Sequence, residues 1–66
     1  MEKLMSPEEV SEITGLTVSS LKNLRYRGTG PAYRRMSSRV IRYAESDVAA
    51  YIESARRTQT GQAVPA

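Results

Sequence analysis

Thr17-Val18-Ser19-Ser20-Leu21-Lys22-Asn23-Leu24-Arg25-Tyr26-Arg27 is the stretch on which the fold turns. Val18, Leu21 and Leu24 recur every three residues on one side of a predicted helix, while Ser19, Ser20, Lys22, Asn23, Tyr26 and Arg27 occupy the other. One side is made for burial and the other for contact. A polar helix side is most simply a solvated one. Here, however, it carries asparagine, lysine, arginine and serine with no acid among them, the side chains that reach base edges and phosphate oxygens in a duplex groove. The stretch reads as the recognition helix of a helix-turn-helix.

The residues before it supply the partner helix. Ser6 is a predicted N-cap, Pro7 takes the first helical position, and Glu9 can close a capping box. Met5 and Val10 are placed for a hydrophobic staple across that start. A helix of about two turns is expected to run to Thr14, with Val10 and Ile13 facing inward and Gly15 ending it. Gly15-Leu16-Thr17 is then a tight turn, with Leu16 plugging the space between two helices and Thr17 capping the second. Gly28 ends that second helix. Glu8, Glu9 and Glu12 compensate the helix dipole and keep the surface soluble.

Gly28-Thr29-Gly30-Pro31 is turn material. Two short segments follow, Tyr33 to Met36 and Val40 to Tyr43, separated by Ser37-Ser38-Arg39, and they predict a two-stranded hairpin. Such a hairpin is marginal alone, so Tyr33, Met36, Val40, Ile41 or Tyr43 must lean on the helices. A last helix is expected from Glu45 to about Arg57. Its buried stripe would be Val48, Tyr51, Ile52 and Ala55, with Glu45 and Asp47 in the first turn and Arg56 and Arg57 in the last. Residues 1–57 thus form one domain, and Thr58 to Ala66, uncharged and poor in apolar residues, a disordered C-terminal tail.

Composition narrows the function. A chain of 66 residues hides only about 60% of the surface its unfolded form exposes, so the core is thin. With no cysteine and no histidine there is no disulfide, no thiolate metal site and no histidine base, and no buried carboxylate cluster is evident. No enzyme, metal or cofactor is expected. Without a membrane-length apolar run or a signal peptide, a cytoplasmic protein without membrane partners follows. All seven acids lie before Val18 or after Tyr43, and between those residues stand Lys22, Arg25, Arg27, Arg34, Arg35, Arg39 and Arg42 with no acid. Interleaved with tyrosine, leucine, valine and isoleucine, this block should fold and concentrate its field, the electrostatic footprint of a nucleic-acid partner.

From about Met5 to Arg57 the chain resembles the small MerR-like winged helix-turn-helix modules of phage excisionases and AlpA-type regulators. The resemblance rests on the order of Glu9-Val10, Thr14-Gly15-Leu16, Ser20-Leu21, Gly30-Pro31, Arg39-Val40-Ile41-Arg42-Tyr43, Ser46-Asp47-Val48 and Tyr51-Ile52. Ser37 and Ser38 replace a glycine common in the wing turn, and Leu24 and Tyr51 stand where a tryptophan is common. The fold so implied is mainly α with a small β-hairpin. The implied function is sequence-specific and architectural: excisionases bind repeated sites on an attachment region, bend the DNA and direct an integrase toward excision in the bacterial host. An AlpA or MerR-like regulator on an operator, or an antirepressor-like protein-interaction module, are the alternatives. A chain without a ligand-sensing segment favours the architectural role, with no small-molecule ligand.

Thr17, Ser19, Ser20, Lys22, Asn23, Arg25, Tyr26 and Arg27 are the candidate DNA contacts of the recognition helix. Asn23 is the best adenine reader, and Lys22 or Arg27 suits guanine or phosphate. Arg25 adjoins buried Leu24 and can turn either to phosphate or into the molecule. Arg34, Arg35, Ser37, Ser38 and Arg39 are the candidate wing contacts. Strand alternation divides Arg34 from Arg35, leaving Arg35 and Arg39 for DNA and Arg42 for an ion pair with Asp47 or Glu45. A module this small buries about 600 to 1,000 Å² on DNA and so needs cooperative self-association.

Overall fold

The computed structural model describes residues 1–57, and the predicted disordered tail lies outside them. The chain runs β1 (Leu4–Met5), α1 (Pro7–Thr14), α2 (Val18–Arg27), β2 (Arg34–Ser37), β3 (Val40–Ala44) and α3 (Glu45–Ser54). Three helices and a small antiparallel sheet make a winged helix-turn-helix.

The first helix starts as its sequence requires. The Ser6 side chain accepts the Glu9 amide at 3.2 Å, and Glu9 Oε1 accepts the Ser6 amide at 2.9 Å, closing the capping box. Gly15 ends it at φ 81°, its amide donating to Ser11 O at 2.8 Å. Thr14 Oγ1 donates to Val10 O at 2.8 Å and accepts the Leu16 amide at 3.2 Å, fixing the tight turn. Thr17 then caps α2, accepting the Ser20 amide at 2.9 Å.

The expected two-stranded hairpin is one part of a three-stranded sheet in the order β1-β3-β2. Leu4 and Met5 pair antiparallel with Ala44 and Tyr43, so the N-terminal residues close the free edge of β3. Glu45 N donates to Lys3 O at 3.1 Å, and the Glu2 carboxylate accepts the Ser46 amide at 2.5 Å. Ala44, the N-cap of α3, offers no side-chain acceptor, so the chain's first residues supply one. On the other side of β3, Arg34 faces Arg42 and Arg35 faces Ile41. An irregularity at Met36 then lets Ser37 face Val40.

The core is Met5, Val10, Leu21, Ile41, Tyr43 and Val48, with Leu16 and Tyr33 packed against it. It is smaller than the apolar patterning predicts. Ile13 is 56% exposed and Val18 39%. A three-residue interval drifts about 60° backward per step around a helix, so of Val18, Leu21 and Leu24 only the middle one points squarely inward. Helix α3 stops at Ser54, leaving Arg56 and Arg57 beyond its end and not in its last turn. Of its predicted stripe only Val48 is buried; Tyr51 is half-buried and Ile52 and Ala55 are exposed. Tyr51, Ile52 and Ala55 instead line an open cleft with Ile13, Thr14 and Leu16. Met36, at the irregularity of β2, is 55% exposed and takes no part in the core.

Candidate nucleic-acid interface

Helix α2 presents a crest and two flanks. Ser19, Asn23 and Tyr26 share the outer side opposite Leu21, all three exposed, and about 100° per residue sets Lys22 toward one flank and Arg27 toward the other. On the first flank a groove of about 320 Å³ opens between α2 and the wing, lined by Lys22, Arg25, Tyr26, Tyr33, Arg35, Ser38, Arg39 and Ile41. On the second, Ser20, Asn23, Leu24 and Arg27 meet Leu16 and Tyr51. No acid lines either surface.

The register of the wing sorts its arginines. Arg35 faces Ile41 and therefore shares the side of the sheet that looks onto α2, whereas Arg34 faces Arg42 on the reverse side. There Arg34 Nη1 lies 3.3 Å from Asp47 Oδ2 at the start of α3. Arg34 thus takes the carboxylate expected for Arg42, whose guanidinium instead donates to Ile41 O at 2.7 Å. Arg35 Nη1 reaches Ser38 O at 3.5 Å, too long to hold it, and Arg39 closes the turn, its amide 3.4 Å from Ser37 Oγ. Both guanidiniums remain on the groove.

Arg25 turns inward. Its Nη1 donates to Tyr43 Oη at 2.6 Å, and its guanidinium carbon sits 5.7 Å from the centroid of the Tyr33 ring. The Tyr33 and Tyr43 rings are tilted at 56° with centroids 6.3 Å apart. Arg25 is therefore the strut that fixes the recognition helix to the wing strand. The sequence signal was its position four residues after Leu21, on the same side of the helix. Tyr33 and Tyr43, the two residues that receive it, do not stand out in the sequence as site residues, because nothing local links them to α2.

The remaining candidates differ in how free they are. Thr17 donates its hydroxyl proton to Ser20 Oγ at 3.0 Å, so Thr17 is occupied as a cap while the Ser20 proton is still available. The Lys22 ammonium lies 5.8 Å above the Tyr26 ring, so the two act as one cationic and aromatic unit at the groove mouth. Ser37 and Ser38 form the exposed wing turn.

A reading helix with a basic cleft beside a wing defines the class: a winged helix-turn-helix DNA-binding domain. The chain belongs to the helix-turn-helix domain family, whose model matches residues 4–56. Neither the curated proteins nor the solved structures contain a match. Among the described residues, no helix is long and apolar enough to cross a membrane.

Proposed function

We propose that this domain is an architectural DNA-binding protein of the excisionase type, which binds repeated sites on an attachment region, bends the duplex and directs an integrase toward excision. The observation that carries the reading is the acid-free surface in which the α2 crest and the groove cations Lys22, Arg35 and Arg39 converge. In this reading α2 enters the major groove with Ser19, Asn23 and Arg27 at the bases or their phosphates, and the wing lays Arg35 and Arg39 along the backbone or into the adjacent minor groove. The side chains clamp and deform DNA and carry out no chemistry, leaving strand exchange to the integrase.

One copy offers a single reading helix and a single short wing, so it binds weakly and gains occupancy by lying beside further copies. Footprinting on the DNA flanking the coding region tests this. Evenly spaced head-to-tail repeats, with excision by a purified integrase accelerated when the protein is added, are the expected result. A single inverted repeat with no effect on excision would instead make the protein an operator-binding regulator. Absence of any duplex footprint would leave a protein-interaction module.

A further inference from the structure

Of the chain's four tyrosines, Tyr33, Tyr43 and Tyr51 are buried or half-buried, whereas Tyr26 stands 75% exposed on the crest of α2. A single apolar side chain on a surface ordinarily needs no explanation. Its neighbours set this one apart. Asn23, one helical turn earlier, carries an amide able to read an adenine edge, and Tyr26 itself borders the groove between α2 and the wing. The ring is also steered: the Lys22 ammonium, four residues earlier on the same side of the helix, lies 5.8 Å from its centroid. That contact leaves ammonium protons for a phosphate oxygen, so Lys22 can hold ring and DNA backbone together.

Base edges in the major groove are donors and acceptors, with one apolar exception, the C5-methyl group of thymine. An aromatic ring therefore has one matching target there. The position of Tyr26 on the helix favours that target over a phosphate. Tyr26 shares the crest with Ser19 and Asn23, opposite buried Leu21, and a helix seated in the groove turns its crest to the base edges and its flanks to the backbone. Three residues of helix advance about 4.5 Å and one base step about 3.4 Å, so Asn23 and Tyr26 reach neighbouring base pairs when α2 lies along the groove.

We propose that Tyr26 is a specificity-determining residue that selects thymine: its ring packs on the C5-methyl of a thymine in the major groove, with Lys22 setting the ring from the backbone side. This role rests on α2 entering the major groove, as in the function proposed above. Asn23 and Tyr26 then select A·T pairs by opposite means, one through paired hydrogen bonds to adenine and the other through an apolar contact with thymine. Cytosine has no methyl at that position, so a C·G pair in place of T·A loses the contact.

Exchange of thymine for deoxyuridine removes that methyl and leaves pairing and phosphates as they were. The probe is the tightest duplex that the parent chain selects from a random pool, resynthesised with deoxyuridine at one thymine at a time. For the parent chain, one such exchange should weaken binding about fourfold, the worth of one buried methyl group. Tyr26→Phe keeps the ring and should keep that loss, whereas Tyr26→Ala should bind the thymine and uracil duplexes equally. Tyr26 is exposed, so neither variant disturbs the core. The same fourfold loss in Tyr26→Ala overturns the proposal, because another side chain then reads the methyl. So does a parent chain indifferent to every exchange, and so does a Tyr26→Phe variant as weak as Tyr26→Ala on both duplexes, the mark of a hydroxyl on a phosphate. Duplex binding without methyl dependence sinks the thymine contact alone, whereas a parent chain that selects no duplex from the pool sinks the DNA-binding function and the contact with it.

Discussion

At the scale of single residues, the recognition helix divides labour between Asn23 and Arg25. Asn23 stands on the exposed crest, and among the described residues its amide has no hydrogen-bond partner, so its donor and acceptor are both available to an adenine edge. Asn23→Ala should weaken binding to the specific site by about 1 to 3 kcal/mol and leave random DNA almost unaffected. Parallel titrations against both duplexes decide it, and equal losses would remove Asn23 from the readers. Arg25, spent on Tyr43 and Tyr33, should behave as a structural residue. Arg25→Ala should cost about 1.5 to 3 kcal/mol of folding stability, typical for a hydrogen bond to a charged group, without changing the salt dependence of DNA binding. A slope flattened by about one in that variant would show Arg25 on a phosphate instead.

At the scale of elements, the turns and caps make their own predictions. Gly30 holds φ at 82°, and a Cβ there would lie 2.8 Å from Leu24 Cβ, so Gly30→Ala meets both a left-handed backbone and a side chain of α2. A loss of about 1 to 3 kcal/mol in thermal unfolding is expected, whereas no loss would mean that the turn simply rearranges. Glu2 and Glu9 each accept a backbone amide at a helix start. Hydrogen bonding from Ser46 holds the Glu2 carboxyl below its ordinary 4.5, and the Ser6 amide does the same for Glu9. Because these folded-state values are depressed, their stabilisation is complete above pH 4.5 and is lost as pH falls through the lowered values. Melts between about pH 5 and pH 3 should therefore fall less steeply in Glu2→Gln and Glu9→Gln than in the parent chain. Identical slopes would separate those carboxylates from acid unfolding.

These same elements show where the sequence could be read. The capping box of α1, the glycine that ends each of the first two helices and the position of the hairpin follow from contiguous residues, and contiguous residues are legible. Strand β1 is only two residues long and pairs with β3 some forty positions later, so nothing near Leu4 announces it. The assignment of Asp47 to Arg34 and not to Arg42 depends on a register seen only once the strands are paired. The inward turn of Arg25 is an intermediate case: its helical position was visible, but its tyrosine partners belong to the loop before β2 and to β3.

At the scale of the whole molecule, charge is arranged around a thin core. The acids sit on α1, on α3 and, as Glu2, ahead of β1, while Lys22, Arg35 and Arg39 gather between α2 and the wing. Ile41 and Tyr43 tie the wing to the core, and the Arg25 strut links helix α2 to the wing strand. A duplex-binding face that depends on both elements is the central claim, and counterion release reports on it directly. The decisive measurement is the affinity for duplex DNA across a range of salt, for the parent chain and for Arg35→Ala. With Lys22, Arg27, Arg35 and Arg39 on phosphates, log affinity should fall linearly with log salt at a slope of about −3 to −4, flattening by about one in the variant. An affinity indifferent to salt, or a slope unchanged by Arg35→Ala, would contradict it.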